Sequence, residues 1–382
     1  MPETYQDRGA AAPPAVLEDL PDRPLEIALM YSHQCNMTCK HCGILSSPQN
    51  KTKMPFDDAK RYIDEAAGIP RFKKVTFTGG EPMLFQDEHA ELMSRCKDYR
   101  LQTRMVTNGF WATTVDKGLA VLSRMKDAGL TEVNFSADQF HLEFGKPETL
   151  RNALECARIL NFTRIISFVS NSPELPLDQL SRMYGLPRHE LADLHDYEGN
   201  YRSIASQKNE KMFVWAGGLI GLGRAADHPE MLHYYPVDIF LSNGCGEVVN
   251  KSVIYPDGDL QACCCAGGKI KMFTVGNLHQ DSMLDLFRKM YGRSHYRFIN
   301  AFGPKAVYDE IVKARPDLAR SGKYTSICEV CVRAVDGLDS EEVDRILDDA
   351  MLTRTLEAMG VKLEADHAVA PPVRPRGLHV IQ

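Results

Sequence analysis

The sequence predicts an α/β protein built on parallel strands, and three observations support this fold class. Strand-like and helix-like segments alternate between residues 25 and 170, which is how helices connect parallel strands. Each of the first four predicted strands is followed by a polar motif, and such motifs meet at one edge of a parallel sheet. The 382 residues, 44% of them hydrophobic, are enough for one full-size α/β domain and a smaller one.

The individual elements follow from hydrophobic periodicity and from glycines that end helices. The predicted strands are 25–32, 73–80, 103–109, 131–138 and 163–170. The predicted helices between them are 57–68, 87–99, 116–129 and 147–160. A less regular stretch then leads to an expected sixth strand at 211–217.

The chain changes character near residue 240. Two short strand-like runs within 253–265 surround Pro256-Asp257-Gly258, which predicts a hairpin. A helix is expected at 339–360. We therefore expect a first domain at 25–240, a small second domain at 241–335, and C-terminal helices with a loose tail at 336–382. Residues 1–24 are rich in Pro, Ala and Asp and are expected to be disordered.

Charge and hydropathy exclude several classes of protein. The net charge is −6 and no basic stripe is present, so nucleic acid is not an expected partner. The first residues lack the charged and apolar regions of a signal peptide, and no apolar run reaches about 18 residues. We expect a soluble, cytoplasmic protein.

Eleven cysteines are present, and nine of them fall in three clusters. In a reducing compartment, clustered thiols indicate metal binding or catalysis rather than disulfides. The remaining two, Cys96 and Cys156, lie on apolar faces of predicted helices and are expected to be buried structural thiols.

The first cluster, Cys35, Cys39 and Cys42, has the spacing CxxxCxxC. Three cysteines at this spacing can bind three irons of a 4Fe–4S cube and leave the fourth iron open. The alternative is a structural zinc site with His33 or His41 as the fourth ligand.

The chain resembles the radical S-adenosylmethionine (SAM) superfamily over roughly residues 25–240. Beside the three cysteines, Gly79-Gly80-Glu81-Pro82 matches the superfamily's GGEP motif after the second strand. The resemblance implies a partial (β/α)6 barrel in which SAM chelates the open iron and is cleaved to a 5′-deoxyadenosyl radical. It also implies that Gly79 and Gly80 approach SAM closely and that Glu81 accepts hydrogen bonds from its ammonium group.

Further SAM contacts are implied at the ends of the third and fourth strands, by Asn108 in Thr107-Asn108-Gly109 and by Ser136 and Asp138. Ordinary turn chemistry is the alternative for all of them.

Three more residues are candidates at the same edge of the sheet. The resemblance implies that His41 packs near the adenine, while Arg224 could pair with the SAM carboxylate or be a solvated loop residue. His141 could be a proton shuttle, with a structural histidine as the alternative.

The later cysteines resemble the auxiliary-cluster domain called twitch, a smaller form of the SPASM domain. The resemblance implies that Cys245, Cys263, Cys328 and Cys331 fill all four positions of a second 4Fe–4S cluster, which would then store or pass an electron. A four-cysteine zinc ribbon is the alternative. Cys264 and Cys265 are not needed as ligands of this cluster. Both could be small buried residues, or Cys265 could replace Cys263 as a ligand, which is less favoured. As a further alternative, one of the two thiols could donate a hydrogen atom to the substrate radical.

Together these residues predict a radical SAM oxidoreductase with SAM and two 4Fe–4S clusters. Hydrogen abstraction followed by electron loss to the auxiliary cluster would give net oxidation of a specialised metabolite. A redox-neutral epimerase and a peptide-modifying enzyme are alternatives, and a non-catalytic iron–sulfur electron carrier is the rival class. A flavodoxin or ferredoxin is the expected electron donor, and no membrane partner is expected. The C-terminal residues lack the Gly-Gly tail in which the family's nucleotide-cyclising members end, which counts against that reaction. About 24 residues precede the first strand, too few for the leader-binding domain of many peptide-modifying members, which favours a small molecule or a peptide delivered by a separate protein.

Overall fold

The computed structural model describes residues 24–170, 176–186, 201–205, 212–240, 244–263, 268–318 and 322–358. These residues form a largely parallel sheet with helices packed against it. Residues 1–23, which are expected to be disordered, lie outside the described residues. Residues 359–382, which include the expected C-terminal tail, also lie outside them.

The predicted elements are present, with ends that differ from the prediction by two residues at most. The strands are β1 (Leu25–Ser32), β2 (Phe72–Gly79), β3 (Gln102–Thr107), β4 (Glu132–Ser136), β5 (Thr163–Ser170), β6 (Tyr201–Ala205), β7 (Met212–Gly218), β8 (Tyr235–Pro236), β9 (Lys251–Ile254), β10 (Asp259–Gln261), β11 (Thr274–Asn277) and β12 (Lys323–Tyr324). The α-helices are α1 (Phe56–Ala67), α2 (Gln86–Asp98), α3 (Val115–Ala128), α4 (Gln139–Leu142), α5 (Pro147–Ile159), α6 (Pro176–Tyr184), α7 (Met283–Gly292), α8 (Ser294–Ala314), α9 (Ile327–Ala334) and α10 (Ser340–Ala358).

One ten-stranded sheet runs through the described residues in the order β11-β10-β9-β1-β2-β3-β4-β5-β7-β6. Strands β1 to β5 and β7 are parallel, and β9 adds to the free side of β1, also in parallel. The predicted hairpin is β9 and β10, which pair antiparallel around a turn where Gly258 has a φ of 84°. The region expected to form a second domain thus begins with strands that continue the first sheet.

The apolar core lies on the face of the sheet that packs against the helices. Ile27, Leu29 and Tyr31 of β1 join this core, because alternate side chains of a strand point to the same face. Ala28 and Met30 point to the other face, where they pack in a small separate cluster with Val253 and Tyr255.

The other face of the sheet also carries charged residues near the start of its strands. Glu26 lies opposite Lys74 in the strand register, and Arg104 lies opposite Glu132. Arg104 forms ion pairs with Glu132 and with Glu26, the latter at 3.2 Å, and Lys74 lies 3.3 Å from Glu132. These part-buried charges compensate one another and need no ligand.

Several elements were not predicted from the sequence, among them β6 and the helices α6 to α9. In α8, Gly303 has a φ of 83° and Pro304 follows it, so two helical pieces join at a kink that interrupts the hydrophobic period. Among the described residues, no helix combines the length and the apolar character that crossing a membrane requires.

Candidate functional site

A cavity of about 190 Å³ lies at the carboxyl ends of β1 to β4. These strands are parallel, so the loops that follow them meet at one edge of the sheet. An organic cofactor that binds a metal centre needs open space beside the metal ligands, and this cavity offers such a space. The described residues lining the cavity include Cys35, Cys39, His41, Cys42, Gly79, Gly80, Glu81, Thr107, Asn108, Ser136 and His141.

The three cysteines of the loop after β1, residues 34–47 (the cysteine loop), lie close enough to affect one another. Burial raises the pKa of Cys39, and the charges of Cys35 and Cys42 raise it further. Burial also raises the pKa of Cys35 to about 12. Both thiols are therefore protonated at neutral pH unless a metal ion binds them. The N–H groups of Met37 and Ser46 donate to the sulfur atoms of Cys35 and Cys42, each at 3.4 Å, which favours negative charge on sulfur.

The two glycines of GGEP allow the loop after β2 to lie against the cysteine loop. The N–H of Gly80 donates to the carbonyl of Ser32 at 2.6 Å, and the N–H of Glu81 donates to Gln34 at 2.9 Å. A Cβ on Gly79 would lie 2.4 Å from the Ser32 oxygen, and one on Gly80 would lie 2.0 Å from the Gln34 oxygen. The close approach seen here joins two chain segments; an approach to SAM stays a prediction.

Glu81 is buried and joins the loops after β2 and β3. Its Oε1 accepts hydrogen bonds from the N–H of Met83 at 3.0 Å and the hydroxyl of Thr107 at 2.7 Å. Its Oε2 accepts one from the N–H of Asn108 at 2.8 Å. Burial raises the pKa of Glu81 to about 7, against the lowering effect of these donors. One lone pair of Oε2 remains, which an ammonium group can use.

Asn108 fastens the loop after β3 to the cysteine loop. Its Nδ2 donates to Oδ1 of Asn36 at 2.8 Å, and its own Oδ1 accepts from the N–H of Phe110 at 3.1 Å. The hydroxyl of Thr107 also accepts from Nε1 of Trp111 at 3.1 Å. The side chain of Asn108 therefore forms a hydrogen bond typical of a turn, and it also lines the cavity, where it could contact a ligand.

Asp138 lies between two histidines and is 2% exposed. Its Oδ1 accepts from the N–H groups of Phe140 and His141, which caps α4, and pairs with Nδ1 of His141 at 2.8 Å. Its Oδ2 lies 3.4 Å from Nε2 of His41. Burial would raise the pKa of Asp138, but the two histidines outweigh burial and hold it below its ordinary value. Ser136, two residues earlier, lines the cavity directly.

The two histidines at Asp138 have different charge preferences. Burial lowers the pKa of His41 to about 4, and its ring stacks on Phe140 with centroids 4.8 Å apart. Burial would also lower the pKa of His141, but Asp138 outweighs it and the pKa is raised. His141 is therefore the better candidate to carry a proton at the cavity wall. A contact of His41 with adenine stays a prediction.

These histidines bear on the zinc alternative. Cys39, His41 and His141 offer ligand atoms that all lie within 4.8 Å of one another. His33, the other candidate fourth ligand, instead stacks on Tyr255 with centroids 6.4 Å apart and does not line the cavity.

Arg224 lies behind the cysteine loop rather than on the cavity wall. Its guanidinium donates to the carbonyls of Cys39 at 2.6 Å and Ser46 at 2.7 Å, and its N–H donates to Cys42 at 3.0 Å. The guanidinium therefore binds the chain's own loop, and a contact with a SAM carboxylate stays a prediction.

Some residues of the site carry no signal that sequence reasoning could have used. Asn36, Ser46 and Phe140 act through contacts between loops that are distant in sequence. Thr107 belongs to the motif Thr107-Asn108-Gly109, but the sequence carries no signal for the hydrogen bond from its hydroxyl to Glu81.

The predicted auxiliary cysteines lie on segments that meet helix α8. The N–H of Cys245 donates to Ile299 at 2.9 Å, and its carbonyl accepts from Nδ2 of Asn300 at 3.1 Å. Beside Cys263, the N–H of Ala262 donates to Phe273 at 2.9 Å, and the Phe273 ring lies 6.1 Å from the ring of Tyr296 in α8. Cys328 and Cys331 lie on α9, which packs on α8. Cys264 and Cys265 lie outside the described residues.

Comparison with known proteins finds a family match over the part of the chain that holds the first cysteine cluster. Residues 29–197 match the family model of the Radical SAM superfamily. Over this segment the chain is similar to the radical SAM superfamily. The match contains Cys35, Cys39, Cys42 and Glu81, so the matched segment includes residues that line the cavity described above.

Several relatives of this chain carry functional names, and two of them illustrate the range. The "Putative peptide biosynthesis protein YydG" of Bacillus subtilis (strain 168) is 30% identical over 132 residues, 35% of this chain and 41% of that protein. GTP 3′,8-cyclase of Aliarcobacter butzleri (strain RM4018) is 28% identical over 134 residues, 34% of this chain and 39% of that protein. The chain thus spans less than half the length of these curated relatives.

A solved structure, native anSMEcpe with bound AdoMet and Cp18Cys peptide, aligns with 86% of this chain and 99% of its own. The TM-score is 0.48 and the identity 13%.

Proposed function

We propose that this protein is a radical SAM enzyme in which Cys35, Cys39 and Cys42 bind a 4Fe–4S cluster and the same cavity binds SAM. One observation carries the proposal. The three thiols line a single cavity with Gly79, Gly80 and Glu81 and with the ends of β3 and β4, so the residues expected to bind the metal and those expected to bind SAM face one space.

The donor set of the cavity fits this pair of groups. Three cysteines suit iron ligation: Cys39 is buried, and Cys35 and Cys42 are partly buried with backbone N–H groups directed at their sulfur atoms. When bound, the cluster and SAM supply a 5′-deoxyadenosyl radical that abstracts hydrogen from a substrate carbon. The protein binds, orients and shields the reacting groups.

The remaining residues of the site would position and shield. Glu81 accepts from the SAM ammonium with the lone pair that its own chain leaves open. Asn108 and Arg224 hold the cysteine loop from two sides. Ser136 would contact the ribose or methionine portion of SAM, whereas Asp138 does not line the cavity and would act by holding His141. The His141–Asp138 pair holds a proton at the cavity wall.

A second cluster would follow from Cys245, Cys263, Cys328 and Cys331. Their three segments all meet α8, which supports one common site. These four cysteines would hold a closed cluster, which would supply an electron acceptor; a substrate radical that gives up one electron and one proton is thereby dehydrogenated or forms a bond. A flavodoxin or ferredoxin would supply the first electron.

The substrate we favour is a peptide in specialised-metabolite biosynthesis. The relative named for peptide biosynthesis supports this choice over a small molecule. The relative named GTP 3′,8-cyclase keeps a nucleotide as the competing class.

Metal analysis with EPR tests the proposal against the zinc alternative, which the Cys39–His41–His141 group favours. The enzyme should contain about eight irons per chain after anaerobic reconstitution, and SAM should alter the EPR spectrum of one reduced cluster only. One zinc per chain and no iron at the first cysteines would support the zinc site instead.

The reaction type is tested by the mass of the product made in deuterated buffer. Oxidation gives a product about two mass units lighter, since two hydrogens leave the substrate. An epimerase gives a product of the original hydrogen count that carries one solvent deuterium, and this result would overturn the oxidation.

A further inference from the structure

A short segment, residues 221–224 (the strap), contacts both cysteine-bearing regions of the chain. One end of the strap is Arg224, which binds the carbonyls of Cys39, Cys42 and Ser46 as described above. Three carbonyls of the cysteine loop thus depend on one residue.

The other end of the strap is fixed by the segment that carries the later CxxC motif. The N–H of Gly221 donates to the hydroxyl of Thr325 at 2.8 Å. That hydroxyl donates to Oε2 of Glu329 at 2.8 Å, and the N–H of Thr325 donates to the same oxygen at 2.7 Å. Glu329 lies between Cys328 and Cys331 on α9, so its carboxylate links the CxxC helix to the strap.

These contacts are buried and closely packed. Thr325 is 3% exposed and Glu329 is 6% exposed, so water does not compete for their hydrogen bonds. A Cβ on Gly221 would lie 3.3 Å from both Glu329 carboxylate oxygens, and one on Gly223 would lie 2.5 Å from Cα of Gly43. A shift of the strap therefore moves the cysteine loop next to Cys42.

We infer that Thr325 is a positioning residue: its hydroxyl fixes the strap and, through Arg224, sets the geometry of the loop that carries Cys39 and Cys42. The cysteine loop and the CxxC helix then form one hydrogen-bonded unit, and loosening the helix contact loosens the first metal site. The inference rests on the proposed function only for the identity of the bound group, because the contacts belong to the chain itself.

Hydrogen–deuterium exchange of the full-length, metal-free protein tests this inference. Thr325→Val keeps the shape of the side chain and removes the hydroxyl, whereas Thr325→Ser keeps the hydroxyl. We expect the Gly221 amide of Thr325→Val to exchange about tenfold faster, the loss of roughly one hydrogen bond. Residues 39–47 should exchange about threefold faster or more, and Thr325→Ser should restore both rates.

Ser326→Ala is the matched control, because Ser326 caps the same helix by accepting from the N–H of Glu329 at 3.1 Å but does not contact the strap. It should weaken α9 without changing exchange in residues 39–47. The inference is wrong if Thr325→Val leaves residues 39–47 unchanged, or if Ser326→Ala accelerates them equally. If Thr325→Val does not fold, Glu329→Ala replaces it under the same criteria.

A second readout uses the reconstituted protein. Thr325→Val should keep its iron content and change the EPR spectrum of the SAM-responsive cluster, whereas Ser326→Ala should leave that spectrum unchanged. An unaltered spectrum in Thr325→Val contradicts the positioning role. If the wild-type chain binds no iron at Cys35, Cys39 and Cys42, the proposed function fails, while the exchange experiment still decides the inference.

Discussion

Glu81 lines the cavity, but the hydrogen bonds that the structure shows for its carboxylate are all to other residues of the chain. Its carboxylate accepts from Met83, Thr107 and Asn108. The GGEP motif predicts that a carboxylate stands here, but it cannot predict these partners, because they come from another strand end. Arg224 is the same case, since its partners lie about 180 residues earlier in the chain. Residue types and their approximate location were predictable, and the hydrogen-bond partners between distant loops were not.

Replacing Glu81 should weaken SAM binding. The proposed hydrogen bond to the ammonium group is charge-assisted and buried, so Glu81→Ala should cost about 1.5–3 kcal/mol, roughly ten- to a hundredfold in affinity. Glu91→Ala is a suitable control, because the Glu91 side chain is 63% exposed. Equilibrium binding of SAM to the reconstituted protein measures the effect. An affinity equal to that of the control would mean that Glu81 only joins the loops.

Gly80 should tolerate no side chain. A Cβ there would lie 2.0 Å from the Gln34 carbonyl oxygen, so Gly80→Ala must push the GGEP and cysteine loops apart. We expect a loss of about 3 kcal/mol or more in the free energy of unfolding. Gly292→Ala is the control, because a Cβ at this helix end would have no atom within 4 Å, and it should stabilise by roughly 0.5–1 kcal/mol. Urea denaturation compares the two; equal stabilities would refute the close contact.

At the scale of elements, the strands and helices up to residue 170 were predictable from the sequence. Each has a regular hydrophobic period, and turn or capping residues mark where it ends. Helix α3, for example, begins after the cap Thr114 and ends at Gly129, whose φ is 119°. Helices α7 and α8 follow one another with only Arg293 between them, and α8 is kinked, so periodicity gave no clean signal. Strand β6 lies at the sheet edge beside residues that the structure does not describe.

The attachment of α10 to α8 should depend on pH through Asp344. Arg293 pairs with Asp344 at 2.6 Å, and Nδ1 of His295 lies 3.0 Å from it. Burial would raise the pKa of Asp344, but these partners outweigh it and lower the pKa to about 2. Because the folded pKa lies below the ordinary 3.8, the stabilisation is complete above about pH 4 and is lost as the pH falls toward 2.

The variant Asp344→Asn isolates this contribution. Wild type should lose about 1–2 kcal/mol more stability than Asp344→Asn between pH 5 and 3, measured by chemical denaturation. Parallel pH profiles for the two proteins would show that the carboxylate does not hold α10.

At the scale of the whole molecule, the later cysteine region is joined to the part of the chain that matches the radical SAM family model. Strand β9 continues the sheet beside β1, and Gly221 of the strap bonds Thr325 ahead of the CxxC helix. The sequence predicted a change of character near residue 240, but strand pairing between β1 and β9 joins residues more than 200 positions apart. No local pattern encodes such a pairing.

The two cysteine sets should nevertheless bind metal independently, because their ligands do not overlap. Changing Cys35, Cys39 and Cys42 together to Ala should lower the iron content from about eight to about four per chain. Iron and sulfide analysis after anaerobic reconstitution measures this. Complete loss of iron would show that the later cysteines cannot hold a cluster alone.

The cleavage of SAM tests the central claim most directly. The wild-type protein, reconstituted anaerobically and supplied with dithionite and SAM, should release 5′-deoxyadenosine, and the protein with Cys35, Cys39 and Cys42 changed to Ala should release none. An electron carrier or a zinc protein would give no 5′-deoxyadenosine in either form. Its absence from an iron-loaded wild-type protein, or its formation by the triple variant, would contradict the assignment of the cavity to radical SAM chemistry.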